Sequence, residues 1–172
     1  MATKQEIVTN FMVYRDGRSL LGIASIQLPD LEPLNAEISG AGIMGSLPAV
    51  IEGHFGLLTM TYNFYTPFDG HDAFSAGEYT TLDSRIAEQT HDSITMTKPI
   101  RADKVLCAGY VTKISPGTVQ SGQQSTGSID IGVTSYGLWL EGREILFFDK
   151  TNYVYRVNGV DRMGDVRRAI GM

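Results

Sequence analysis

Apolar and polar residues alternate at every second position through much of this chain. The clearest stretch is Leu57 to Tyr65, where Leu58, Met60, Tyr62 and Phe64 oppose Thr59, Thr61 and Asn63. This period of two predicts a strand with one face on a core and one face in water. The same pattern sets Leu34, Ala36 and Ile38 against Asn35, Glu37 and Ser39, and sets Ile129, Ile131 and Val133 against Asp130, Gly132 and Thr134. Val105 to Ser115 and Ser128 to Leu140 read as the two arms of a long hairpin, residues 105–140, and Glu141-Gly142 turns the chain into a further strand, Arg143 to Asp149. Near the start, Phe11 to Tyr14 and Arg18 to Leu28 flank Asp16-Gly17, a hairpin signal. Ala24, Ile26 and Leu28 are then expected on the buried face of a two-stranded unit, before Pro29 and Pro33 break the ladder.

A few segments depart from this period. Thr80 to Gln89 fits two templates: Leu82, Ile86 and Gln89 permit a helix, whereas Thr80 and Thr81 favour a strand, which is the reading adopted. Pro67-Phe68-Asp69-Gly70 is turn chemistry, and Asp72 to Ser75 is expected to open a short helix with Asp72 as its cap. Close to the end, Phe147, Phe148, Tyr153, Val154, Tyr155 and Val157 are strand formers, stopped by Asn158-Gly159. From Val160 to Ile170 the apolar Val160, Met163, Val166 and Ile170 are three or four apart, with Asp161, Arg162, Asp165, Arg167 and Arg168 on the other side. This predicts a docked amphipathic helix over 160–170. The expected fold is mainly β (α+β), an antiparallel β-sandwich or barrel with one or two short helices, in a single domain over 1–172.

Long strands with one apolar and one uncharged polar face, and few lysines, leave their edges unprotected, so pairing with another copy is physically reasonable. A head-to-tail contact of that kind closes into a ring when the rotation permits. Charged residues make up 19% of the chain, below the average of about 25%, which leaves much neutral surface. A net charge of -5 disfavours tight binding to a run of phosphates, while an acidic wall keeps a passing polyanion from adhering. The start, MATKQEIVTN, has no apolar signal core, and no apolar run approaches the roughly 18 residues of a membrane span. Neither export by a signal peptide nor membrane insertion is expected.

Candidate chemistry is sparse. Gly40, Gly42 and Gly45 match GxGxxG, but the preceding residues alternate like a half-exposed strand and Pro48 blocks a long helix, so a loop over about 40–50 is the better reading. His54, His71 and His91 are scattered; Asp69-Gly70-His71-Asp72 looks briefly like a ligand cluster and reads better as a turn. No nucleophile sits in an elbow context and no carboxylate pair stands out, so no catalytic residue, metal or cofactor is expected. The single Cys107, in an apolar strand pattern, is expected as a buried thiol. Arg162, Arg167 and Arg168 interleave with Asp161 and Asp165, which favours surface ion pairs over phosphate contact. Trp139 and the aromatic set at 147, 148, 153 and 155 suit core or interface better than a sugar-binding groove.

Three short tracts carry a resemblance: VNGVDR at 157–162, RRAIG at 167–171 and GAGIMGS at 40–46. They resemble the tail tube proteins of contractile-tailed phages (myophages) and of the related R-type bacteriocins, and the order of strands between them is compatible. The resemblance implies a structural subunit that assembles into stacked hexameric rings, forming a hydrophilic channel for DNA ejection without specific DNA binding. It implies strands that extend a shared inner barrel, built by segments near 31–40, 56–66, 104–115 and 127–140. Asn35, Glu37, Ser39, Thr59, Thr61, Asn63, Asp130 and Thr134, opposite the apolar rows, are the candidates for a net acidic channel lining. Gly40, Gly42, Ile43, Met44, Gly45 and Leu47 are candidates for an inter-ring loop, with Ile43, Met44 and Leu47 either reaching out as anchors or folding back on their own core. Asp161, Arg162, Arg167 and Arg168 are candidates for a C-terminal interface. The implied partners are further copies of the chain, a tail sheath protein, a tape measure protein, and baseplate hub and tail terminator proteins. The implied place is the virion tail or a bacteriocin particle, assembled in the bacterial host cytoplasm. A DNA-free tailocin tube and a monomeric carbohydrate- or ligand-binding β-sandwich are the alternatives.

Overall fold

The computed structural model describes residues 3–20, 22–66, 68–123 and 126–172, and the side chains from residue 6 onward. Leu21 of the expected 18–28 strand, Pro67 of the expected turn, and Gln124 and Ser125 of the uncharged Ser115 to Ser128 connection lie outside the described residues, as do Met1 and Ala2. The chain is mainly β: β1 (Thr3–Arg15), β2 (Arg18–Leu20), β3 (Ile23–Gln27), β4 (Pro33–Ser39), β5 (Ser46–Phe55), β6 (Thr59–Phe64), α1 (Asp69–Ala73), β7 (Tyr79–Asp92), β8 (Ile100–Ser115), β9 (Gly127–Leu140), β10 (Arg143–Asp149), β11 (Val154–Val157), β12 (Val160–Asp161) and α2 (Gly164–Ile170). All strand pairs among the described residues are antiparallel.

β9 organises the molecule. One of its edges pairs with β8 along nearly its whole length, while the other edge splits: Gly127 to Gly132 take β6, and Ser135 to Leu140 take β10. The main path runs β12-β11-β10-β9-β8-β7-β1-β2, with a branch through β6 to β3. Met60, Tyr62 and Phe64 from the branch, Ile129, Ile131 and Val133 from β9, and Val13, Leu82, Val105 and Cys107 from the main sheet meet in one core cluster, the filling of a sandwich. Tyr62 Oη lies 3.3 Å from Ser84 Oγ on β7, a hydrogen bond that spans the two layers. Gly109 is required where β8 crosses β9, because a side chain there would run into the carbonyl oxygen of Gly132.

Three turns have the chemistry their sequence predicts. Asp16-Gly17, Glu141-Gly142 and Asn158-Gly159 each place two successive residues at positive φ, the backbone of a two-residue hairpin turn. Residues 80–89 are strand, as Thr80 and Thr81 predict, because Thr80, Leu82 and Ser84 alternate into the core. Cys107 is fully buried.

Other expectations are corrected. Residues 18–28 do not form one strand beside β1; Gly22, at φ +85°, turns the chain, its carbonyl accepts the Tyr65 N–H at 2.7 Å, and β3 pairs with β6. Leu28 is consequently exposed instead of buried. The segment 40–50 is a loop only to Gly45, since Ser46 to Val50 pair with β4 and make a hairpin. Asp72 does not cap α1: the helix begins at Asp69 with Phe68 at its N-cap and has no side-chain cap. The helix expected over 160–170 is confined to Gly164–Ile170, because the tight Asn158-Gly159 turn sends Val160 and Asp161 back along β11 as β12. Its apolar face is not docked: no α2 residue is buried, and Met163 just before it is the residue that enters the protein.

Candidate assembly surfaces

The outward face of β6, β9 and β8 is polar. Pairing in register brings Thr61 opposite Asp130, Asn63 opposite Ser128 and Thr59 opposite Gly132. Thr61 Oγ1 donates to Asp130 Oδ1 at 2.7 Å, and Asn63 Nδ2 donates to Ser25 Oγ of β3 at 2.9 Å, so the face continues onto the branch. Thr134 stands at a bulge and donates its hydroxyl to the Ala108 carbonyl at 3.0 Å. Thr59, Thr61, Asn63, Asp130 and Thr134 are thus brought together. Asn35, Glu37 and Ser39 are not among them; they lie on β4, in the separate β4–β5 sheet.

Sequence reasoning missed residues that belong to this face. Lys113 sits opposite Asp130 across the β8–β9 ladder, and Tyr110 is half-exposed with its ring edge-on to Tyr79 at 5.1 Å. Two register shifts in that ladder hid them, since a bulge changes which residues share a face. The Lys113 position bears on the expected net acidic lining, because a cation stands beside its most central carboxylate.

The second surface is the β4–β5 hairpin. Every β4 residue is exposed, and Leu34, Ile38, Leu47, Val50 and Ile51 remain in solvent. Gly40, Gly42 and Gly45 form its tip with Met44 fully exposed, Ile43 half-buried, and a 3.1 Å bond from the Ile43 N–H to the Gly40 carbonyl. No helix follows these glycines, so the dinucleotide reading fails.

The third surface is the C-terminal unit. Asp161 forms an ion pair with Arg167 and accepts the Met163 N–H at 3.0 Å, while Arg167 also donates to the Tyr153 carbonyl at 2.7 Å. These donors hold the Asp161 carboxyl below its usual range, the Arg167 hydrogen bond most of all. Arg168 pairs with Asp165 within the helix, and Arg162 approaches Glu52 of β5 at 3.9 Å. The expected surface ion pairs are therefore present.

Burial pushes the Cys107 thiol up to about 12, beyond the range of a nucleophile. Among the described residues no group of His, Cys, Asp and Glu has a metal-binding arrangement. Among the described residues no helix is long and apolar enough to cross a membrane. Phe148 packs in the core against Phe55 and Tyr136 at 5.0 and 5.7 Å, Tyr155 meets Phe55 at 5.5 Å, and Trp139 and Phe147 lie under Lys104 and Arg156, while Tyr153 is exposed.

A sandwich with one polar sheet face, unpaired strand margins and a hairpin standing in solvent is a protein made for assembly into a larger structure. A family model described as phage tail tube protein FII matches residues 5–171, and the chain belongs to that family. It is 27% identical over 168 residues to the tail tube protein of Escherichia phage P2, covering 93% of this chain and 94% of that protein. The chain is accordingly a structural subunit of a phage tail tube.

Proposed function

We infer that the subunit closes head to tail into hexameric rings that stack into the tube of a contractile tail, with a hydrophilic channel for DNA ejection. The observation that carries this reading is the four-strand layer β3-β6-β9-β8 and its two open margins. β3 pairs only with β6, and the β7 ladder ends at Tyr79 opposite Tyr110, which leaves Thr112 to Ser115 of β8 with one free edge among the described residues. The free side of β3 in one copy and the free end of β8 in the next complete each other's ladders, and no edge then remains. The polar face of Thr59, Thr61, Asn63, Asp130 and Thr134 then lines the channel. Asp130 with Lys113 opposite gives that wall mixed charge, hydrophilic enough to stay wet and without the cationic patch that grips phosphate.

The hairpin tip from Gly40 to Leu47 reaches the neighbouring ring, and the unit holding Asp161, Arg162, Arg167 and Arg168 supports a neighbouring copy. A sheath outside, a tape measure protein inside, and baseplate hub and terminator proteins at the ends are the remaining partners, within a virion tail assembled in the host cytoplasm. Cryo-microscopy of polymer grown from the purified chain tests this: continuous strand pairing between β3 and β8 around a channel is expected. A chain that stays single at high concentration, or a channel lined by the opposite face, would sink it.

A further inference from the structure

The β4–β5 hairpin is a two-stranded sheet exposed along all of β4, and two strands alone are marginal in water. Its two outer edges are not equivalent. Pro48 stands opposite Glu37, and proline has no N–H to give, so this pair is a non-hydrogen-bonded one. Asn35, Glu37 and Ser39 on β4, and Ser46, Pro48 and Val50 on β5, therefore turn their main-chain groups away from each other. On β5 the outward row is interrupted in its middle by Pro48, which blocks the addition of a further strand. On β4 Pro33, which opens the strand, has no N–H, but the outward N–H and C=O groups of Asn35, Glu37 and Ser39 are present, and no strand meets them among the described residues.

We propose that β4 is the pairing edge of the hairpin and that it adds as a strand to the open edge of β1 in a second copy of this chain. The inference rests on the tube reading. β2 covers β1 only at Val13 to Arg15, and Asn10 Oδ1 takes the outward Phe11 N–H at 2.8 Å just ahead of that stretch. Among the described residues the part of β1 before it has β7 on one side and no strand on the other; its ladder with β7 shifts register between Gln5 and Ile7 and between Val8 and Asn10, it contains no proline, and it exposes Ile7 by 62% and Val8 by 52%. Pairing of two β4 edges with each other is disfavoured, because residues 33–52 carry Glu37 and Glu52 and no cation, and like charges facing across a ladder repel. The main chain of β4, more than the apolar tip, thus supplies the directional part of the contact.

Elongation of the purified chain from sheared wild-type tube seeds, followed by electron microscopy, tests this with three variants. Glu37→Pro deletes an outward N–H and none of the hairpin's own bonds; elongation should fall roughly tenfold or more, with the circular dichroism and melting of the free chain unchanged. Glu37→Ala and Val50→Pro should elongate like wild type. In wild-type tubes the amides of β4 and of residues 6–9 should gain protection from hydrogen exchange together. Normal elongation by Glu37→Pro, an equal loss with Val50→Pro or Glu37→Ala, or protection of β4 without β1 overturns the proposal. A wild-type chain that gives no tubes removes the reading beneath it; tubes that Glu37→Pro extends normally remove this inference alone.

Discussion

The sulfur of Met163 fills the space over Gly53, lying 2.7 Å from where a Cβ at that position would stand. This contact ties the base of the β4–β5 hairpin to the C-terminal unit. Between the pairs Pro33–Phe55 and Asn35–Val50 the ladder shifts, so Ile51 to His54 bulge out, with Gly53 at φ +74°. Phe55 is then pinned by Phe148 and Tyr155 at 5.0 and 5.5 Å, and the Lys150 ammonium donates to the Gly56 carbonyl at 2.6 Å. The hairpin is free along its length and fixed at its root.

Gly53→Ala should therefore destabilise the chain twice over, through an unfavourable φ and a collision with Met163. Met163→Ala empties a buried site, at a cost of about 2 kcal/mol or more. The double variant should be less unstable than the sum of the two, because the space vacated by the methionine accepts the new methyl. A double-mutant cycle from urea unfolding measures the coupling, and strict additivity would show that the two residues do not touch.

The Tyr62 to Ser84 hydrogen bond joins the two layers inside the core, where burial pushes the Tyr62 hydroxyl far above its ordinary titration range. Tyr62→Phe should cost roughly 1 kcal/mol, since it leaves the buried Ser84 hydroxyl without this partner, and Ser84→Ala no more than that, since the Tyr62 hydroxyl keeps the Met60 sulfur as a weak acceptor at 3.6 Å. The pair together should cost little more than either alone. Thermal melting of the three variants checks the order.

Much of this architecture is legible in the sequence because its strands obey a period of two and its turns carry glycine at the demanded position. Leu58 to Phe64 and Ile129 to Val133 place their apolar rows in the core as the alternation requires. What was not legible came from tertiary context. Gly22 redirects β3 to β6, a choice that no local pattern contains. β5 was hidden because Pro48, which blocks a long helix, left the segment reading as a loop, although a proline is tolerated in an edge strand where its missing N–H would face outward. The spacing of Val160, Met163, Val166 and Ile170 fits a helix, yet the Asn158-Gly159 turn overrides it for the first two residues. On the polar face, bulges in the β8–β9 ladder concealed Lys113.

Acid should loosen the C-terminal unit. The Asp161 carboxyl is held below its ordinary 3.8 by the Arg167 hydrogen bond and then by the Met163 N–H. A lowered carboxylate contributes stability that is present above the unfolded value and lost as pH falls through the folded one. At neutral pH the unit should be ordered, and below about pH 3.8 its amides from 161 to 171 should exchange faster than those of β9. Asp161→Asn should show the faster exchange already at neutral pH. An exchange profile of this segment that ignores both acid and the substitution would contradict the assignment.

Cys107 should be silent to thiol reagents in the folded chain at mildly alkaline pH, because burial raises its thiol to about 12 and seals it from solvent. Labelling with a chromogenic disulfide should appear only as denaturant unfolds the core, with the same midpoint as the loss of ellipticity. Earlier labelling would mean that the β8 region opens on its own.

Lys113 and Asp130 face each other across the β8–β9 ladder on the polar surface. Lys113→Glu places two carboxylates opposite one another, which should cost roughly 0.2–1 kcal/mol in the free chain. Asp130→Lys has the mirror effect and also removes the acceptor of the Thr61 hydroxyl. The exchanged pair, Lys113→Glu with Asp130→Lys, should recover most of the loss from charge and none of the loss at Thr61. In assembled tubes the exchanged pair should polymerise normally, because it preserves the mixed charge of the lining, whereas Asp130→Lys alone leaves a ring of unopposed cations. That ring should retain duplex DNA at low ionic strength and release it as salt rises. Equal DNA retention by wild-type and Asp130→Lys tubes would place this face away from the channel.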